Sequence, residues 1–300
     1  MSSSADSHRL HAAFAAQPAA PVQTFAEDRA AWESEAALVP LPVDVTFVPL
    51  VAGGVPCEFV SAPESDPSAR LVYFHGGGFV SGSCVTHRDF AARMSRACGA
   101  PVVLVDYRLA PEHPSPAATD DAVAVYRSLL ADGIEPSRIA FAGDSAGGGL
   151  TASALVALRD LGEPLPAAGV LLSAWLDMTL SGESFATRAD ADLLLTRVGL
   201  ADAAVAYVAG GDPRDPLASP VLADLRGIPP LLIHVGDEEI LLSDSVTFAE
   251  RAQEAGVETE IEIWPEMWHV WHAWAAELPE ARDAIDGIGA FLRRRLATFA

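Results

Sequence analysis

Residues 138–161 constrain the fold more than any other stretch of this 300-residue chain. The apolar run Arg138-Ile139-Ala140-Phe141-Ala142 leads directly into Gly143-Asp144-Ser145-Ala146-Gly147, and a helix-like stretch follows over 147–161. A strand, a serine on a sharp turn and a helix in immediate succession set the serine hydroxyl at the end of a sheet strand. Glycine is required on both sides of so tight a turn, because a Cβ at Gly143 or Gly147 would strike the adjoining strand or helix. A second glycine segment, His75-Gly76-Gly77-Gly78, also follows an apolar run, Leu71-Val72-Tyr73-Phe74. Either motif alone arises by chance in a chain rich in Gly, Ala and Ser, but two that both follow strand-like runs carry structural context.

The remainder of the chain repeats this alternation. An opening strand pair is expected over 43–50 and 55–61, then strands over 70–74, 101–107, 138–142, 168–175, 230–235 and 258–264. Helical patterns occupy 85–97, 116–131, 147–161, 243–255 and 281–296. Strands separated by helices give an α/β protein whose mostly parallel sheet has right-handed crossovers and helices on both faces. Ligands of such sheets bind at the carboxyl ends of the strands, where both glycine motifs fall. Two segments fit the alternation poorly: 1 to about 40, which is helix-prone and Ala-rich, and 178 to about 212.

The two motifs supply complementary chemistry. A serine hydroxyl is a weak nucleophile until an imidazole takes its proton, and the oxyanion it creates needs donors already aimed at it. Ser145 is the candidate nucleophile, and the N–H groups of Gly77, Gly78 and Ala146 are the candidate oxyanion hole. The base belongs after the last strand, in the chain order serine, acid, histidine. His269 and His272 compete for that position. Of the other histidines, His234 sits within an apolar strand, His113 in a proline-rich loop, and His8, His11 and His87 read as surface residues, while His75 reads as fixing the glycine loop by hydrogen bonding. The strand over 230–235 is followed by Gly236, Asp237, Glu238 and Glu239, so three carboxylates compete for the acid's role. Trp264, Trp268, Trp271 and Trp274 cluster around the histidine, at least two of them as core and one or two as a pocket wall.

Taken together, these residues resemble one family, the bacterial hormone-sensitive-lipase-like esterases of the α/β-hydrolase superfamily. The resemblance rests on the two glycine motifs, on Tyr107-Arg108-Leu109-Ala110-Pro111-Glu112-His113-Pro114, on Asp212-Pro213-Arg214-Asp215-Pro216-Leu217-Ala218-Ser219-Pro220 and on Met267-Trp268-His269-Val270-Trp271. It implies an α/β-hydrolase fold with a helical cap: a cap segment over 1–40, a core over 41–177 and 213–300, and a cap insertion over 178–212. The first 20 residues are also readable as a disordered tail. The family's Met-x-His-x-aromatic pattern falls on His269. Its Asp-x-Leu-x-Asp pattern falls best on Glu239-Ile240-Leu241-Leu242-Ser243, with Glu239 replacing the first Asp and Ser243 the second, which makes Glu239 the expected acid and Asp237 its rival. The implied activity is that of a serine carboxylesterase acting on neutral short-to-medium acyl esters. An amidase, lactonase or acyltransferase with the same triad is the alternative, and a non-catalytic ligand receptor on the same fold is a more distant one.

Composition narrows the partners. Half of the residues are apolar, enough for one large core, and no run of about 18 uncharged apolar residues exists, so no membrane span is expected. All 19 basic residues are Arg, which removes P-loop nucleotide binding, Schiff-base catalysis and Ser-Lys dyads. A net charge of −22 repels polyanions and argues against nucleic acid. No cofactor or metal is implied, because the His and Cys residues lack zinc-ligand spacing and no GxGxxG opens a dinucleotide unit. Cys57, Cys84 and Cys98 are too few for a disulfide framework, and the N-terminus lacks a basic start and apolar core, so a cytoplasmic enzyme is expected. Its partner is a small neutral ester, and the oligomeric state is open, a homodimer included.

Overall fold

The computed structural model describes residues 4–16 and 23–296. Eight strands form one sheet in the order β1-β2-β4-β3-β5-β6-β7-β8. They are β1 (Thr46–Ala52), β2 (Val55–Ser61), β3 (Arg70–Phe74), β4 (Val102–Val105), β5 (Ile139–Asp144), β6 (Ala168–Leu172), β7 (Leu231–Gly236) and β8 (Thr259–Trp264). β1 and β2 run antiparallel and β2 joins β4 antiparallel, while every pairing from β4 across to β8 is parallel. Crossovers are made by α3 (Cys84–Cys98), α4 (Ala117–Ala131), α5 (Ala146–Asp160) and α8 (Leu242–Glu254), with α9 (Pro279–Leu296) closing the chain. Outside this alternation lie α1 (Ala5–Ala15), α2 (Phe25–Ala36), α6 (Ser184–Thr187) and α7 (Arg197–Val208).

The central strands are apolar without interruption because both faces of the sheet are covered. Successive side chains feed opposite cores. Val72 and Phe74 of β3, with Ile139 and Phe141 of β5, pack into the layer under α4, α5 and α8. Leu71 and Tyr73, with Ala140 and Ala142, pack into the layer under α3 and α9, against Phe90, Met94 and Phe291. The edge strand β8 instead alternates Glu260 and Glu262 with Ile261 and Ile263, and such outward charges keep an open edge from pairing indiscriminately.

Register decides where chemistry can occur. Phe74 pairs with Gly143 and Asp144 with Leu172, so the ends of β3, β5 and β6 lie level and the glycine loop and serine turn emerge side by side. Two sequence expectations shift here. β1 begins at Thr46, three residues after the exposed Val43, and β6 stops at Leu172 because Ser173 takes a left-handed backbone, φ 48°, that ends the strand. The segment before β1 is largely helical where described, as α1 and α2; readings that concern residues 1–3 and 17–22 lie outside the described residues. Arg29 fastens α2 to the core by donating to the carbonyls of Val80 and Ala110, both at 2.6 Å, and to the Glu112 carboxylate.

Candidate active site

Ser145 lies between β5 and α5 with φ 53° and ψ −120°. A non-glycine residue held there costs about 1–3 kcal/mol and persists only where its surroundings over-determine it. They do so here: the Ser145 N–H donates to the Leu172 carbonyl at 2.8 Å, and the Ser145 carbonyl accepts from the N–H groups of Trp175 and Gly149 at 3.0 and 3.1 Å. The turn closes only because Gly147 has no side chain, since a Cβ there would sit 2.0 Å from the Phe74 carbonyl oxygen. Ala146 begins α5, so its N–H belongs to the electropositive end of a 15-residue helix.

The glycine loop ties down the Gly76 N–H, which donates to Asp144, and turns those of Gly77 and Gly78 away from any partner among the described residues. Gly77 has φ 115°, which a side chain would not tolerate, and its carbonyl accepts from the N–H groups of Val80 and Ser81 at 3.0 and 2.9 Å. Among the described residues no hydrogen bond takes the N–H of Gly77, Gly78 or Ala146. The loop is braced from below by His75, which stacks on Tyr107 at 4.2 Å between ring centroids and hydrogen-bonds the Gly76 carbonyl through Nδ1 at 2.8 Å. Burial holds its imidazole down at about 3, so it stays neutral. Asp144 joins loop to turn, accepting from the Tyr73 hydroxyl at 2.7 Å and the Gly76 N–H at 3.1 Å, with His87 Nε2 at 3.3 Å. Burial opposes the charge on Asp144, yet His87 and Tyr73 outweigh it and keep the carboxyl below its usual range. The expectation that His87 lies on the surface is overturned: it is buried, because the face of α3 that carries it turns inward onto Asp144.

After β7 the three carboxylates separate. Asp237 accepts from the Glu266 N–H at 2.7 Å, and Glu238 pairs with His11 of α1 at 2.9 Å. Glu239 alone turns inward, its Oε2 lying 2.8 Å from Nδ1 of His269. Its Oε1 accepts from the Ser173 hydroxyl at 2.7 Å and the Gly236 N–H at 2.6 Å. Ser173 Oγ in turn accepts from the Val270 N–H at 3.0 Å, fastening the histidine loop to the end of β6. Burial raises the Glu239 carboxyl above its ordinary value even against its hydrogen bonds. His269 is shifted upward as well: burial works against its cation, but the hydrogen bond and charge of Glu239, aided by Asp192 and Asp144, prevail. His272, the competing base, is fully buried with Nε2 3.3 Å from Nδ1 of His234, and it is not among the residues that line the cavity with Ser145.

Ser145, His269, Gly77 and Gly78 line one cavity of about 740 Å³, walled by Phe25 and Trp32 of α2, Leu194, Leu195, Leu200 and Ala203 from the α7 region, and Trp274. Of the four clustered tryptophans Trp268 and Trp271 are core, and Trp274 reaches the cavity. Ala146 lies behind Ser145, fully buried. The hydrogen bonds of the described residues include none from Ser145 Oγ to the imidazole, a contact that is often loose before substrate binds. Cys84 is buried and its thiol is raised, chiefly by burial, which leaves it inert. Among the described residues no group of three or more His, Cys, Asp or Glu is placed to hold a metal ion. Ser173, His87 and Asp192 carry no motif in the sequence; a serine closing an apolar strand was the only available signal for Ser173.

A sheet with this order and a serine turn at its carboxyl edge defines the class of protein, and the comparisons agree. The model of the alpha/beta hydrolase fold matches residues 71–273. An acetyl-hydrolase of Streptomyces hygroscopicus is 47% identical over 252 residues, 84% of this chain and 83% of its own length. A crystal structure of an esterase from the bacterial hormone-sensitive lipase family is 46% identical, with a TM-score of 0.95 over 99% of this chain and 100% of that one. EstE5, in a crystal soaked by p-nitrophenyl butyrate, is 41% identical, with a TM-score of 0.94 over 98% of this chain and 100% of that one. The chain belongs to the alpha/beta hydrolase family and, within it, to the bacterial hormone-sensitive-lipase-like esterases.

Proposed function

We propose that this carboxylic ester hydrolase cleaves small neutral esters of short-to-medium acyl chains through an acyl-enzyme on Ser145. His269 takes the Ser145 proton as Oγ attacks the ester carbonyl, and the N–H groups of Gly77, Gly78 and Ala146 hold the oxyanion. The imidazolium then gives its proton to the leaving alkoxide, releasing the alcohol and leaving Ser145 acylated. Water repeats the sequence with His269 as base, and the carboxylic acid departs. Glu239 stays ionised, fixes the imidazole tautomer and stabilises the imidazolium. The single observation that carries the reading is the buried Glu239–His269 hydrogen bond, 2.8 Å, against a cavity that Ser145 also lines.

Cavity size supports the acyl range, since about 740 Å³ is the volume of a small-molecule pocket rather than an open lipid-binding surface. In this reading residues 1–40 and 178–212 form a cap on a core of 41–177 and 213–300, as the cavity walls from α2 and α7 support. A cytoplasmic site of action accords with three free, buried thiols. Among the described residues no helix is long and apolar enough to cross a membrane.

The test is a series of p-nitrophenyl esters from acetate to palmitate, run beside matched amides and lactones. Turnover is expected to peak at the short or medium chains of the ester series. Strong activation by emulsified long-chain triglyceride, or faster turnover of the amides or lactones, would overturn the substrate assignment.

A further inference from the structure

Residues 184–195, which lead into the cavity wall, are stitched to the acid-bearing loop. The Arg188 guanidinium donates through Nε to the Asp237 carbonyl at 2.6 Å, and Ser184 exchanges bonds with Ser243, N to Oγ at 2.9 Å and Oγ from N at 3.0 Å. The central stitch is one half-buried carboxylate. Asp192 Oδ1 accepts from the N–H groups of Leu194 and Leu195 at 3.0 and 2.8 Å, while Oδ2 accepts from the N–H of Ile240 at 2.8 Å. Leu194 and Leu195 line the cavity, and Ile240 directly follows Glu239.

We propose that Asp192 is a positioning residue for ester hydrolysis: it locks the cavity wall at Leu194 and Leu195 to the backbone of Ile240, so that substrate seating and the aim of Glu239 at His269 are set together. This rests on the assignment of Ser145, His269 and Glu239 given above. A carboxylate is needed because three N–H donors on two segments point at it, and only a group with two acceptor oxygens serves both. Asparagine presents an NH₂ to one of them and sets donor against donor. The negative charge has a second effect. Glu239 on its loop, Asp192 behind the wall residues it holds and Asp144 at the serine turn all favour the His269 cation, whereas the buried neutral His272 adds no charge. Asp237 and Glu238 are engaged by the Glu266 N–H and by His11. Removing Asp192 therefore lowers the pH at which His269 gives up its proton.

The test compares Asp192→Asn, Asp192→Glu and Asp192→Ser by kcat, KM and the pH profile of kcat/KM on a short and a medium p-nitrophenyl ester. Asp192→Ser keeps an oxygen for the Leu194 turn but cannot reach Ile240, so it serves if the asparagine variant fails to fold. Asp192→Asn or Asp192→Ser is expected to lose roughly ten- to a hundredfold in kcat/KM, with kcat lowered on both esters and KM raised more on the medium one. The acidic limb moves to lower pH in both variants, and Asp192→Glu returns it to the wild-type position. Unchanged kinetics would overturn the proposal, and so would a loss of activity that tracks a fall in Tm while the acidic limb stays in place. Fluorophosphonate labelling of wild-type Ser145 is run alongside: its absence marks failure of the catalytic assignment itself, whereas labelled wild type with an unshifted Asp192→Asn profile overturns only the role of Asp192.

Discussion

Replacing Glu239 by Gln changes one atom and reverses what the carboxylate asks of its neighbours. In the wild type Oε1 accepts from the Ser173 hydroxyl and the Gly236 N–H, and Oε2 accepts from His269 Nδ1. A glutamine amide has one acceptor end. If that end keeps the Gly236 N–H, the NH₂ faces Nδ1 of His269, which must then be unprotonated, and the ring proton moves to the nitrogen that should receive the proton of Ser145. If the amide turns round, its NH₂ opposes the Gly236 N–H, a donor against a donor in a fully buried site. The first arrangement is favoured, and it supplies the wrong tautomer and no charge for the imidazolium. The same change in the serine-protease template lowers kcat by about 10⁴, and a loss of roughly 10³–10⁴ here corresponds to about 4–5.5 kcal/mol at 1.36 kcal/mol per decade. The assay is kcat/KM on p-nitrophenyl acetate or butyrate, with thermal unfolding to show that the variant folds. Asp237→Asn and Glu238→Gln should stay within about tenfold of wild type, because their carboxylates bond the Glu266 N–H and His11 instead. Near-normal activity in Glu239→Gln together with a dead Asp237→Asn would exclude Glu239 and move the acid to Asp237.

Two further outcomes follow from the same contacts. Because His269 must be neutral to act as a base and its environment raises it above 6.5, kcat/KM should fall as pH drops through a value above that of a free imidazole, and a limb below it would contradict the geometry. Ser173→Ala removes a donor to Glu239 and the acceptor of the Val270 N–H, so it should lower stability by about 1–3 kcal/mol and kcat by roughly tenfold, read by urea unfolding and initial rates; unchanged values would show the serine to be incidental.

The sheet was legible because each central strand is a short apolar run closed by Gly, Pro or a polar residue, a pattern that survives any tertiary context. Ser145 and the Gly77–Gly78 loop were legible for a different reason: a turn so tight excludes almost every other residue, and sterics write themselves into sequence. The acid was legible only through the family pattern, which falls on Glu239. Asp237, Glu238 and Glu239 are adjacent and chemically alike, so the residues alone leave them level, and it is the backbone turn after Gly236 that sends one to the Glu266 N–H, one to His11 and one to His269. Ser173, His87 and Asp192 were illegible because the contact that gives each its place in the site lies dozens of positions away, at Glu239, Asp144 and Ile240. His87 misled because its neighbours Thr86, Arg88 and Asp89 are polar, although the face of α3 that carries it packs on Asp144.

If Ser145 carries the covalent acyl group, mass spectrometry after fluorophosphonate treatment will find the label there. A single adduct on the peptide containing Ser145, with loss of esterase activity in step with labelling, is the predicted result. Ser145→Ala should take up no label, retain its fold and lose about 10⁴-fold in kcat. An adduct on any other residue, or full esterase activity in Ser145→Ala, would show that Ser145 is not the nucleophile.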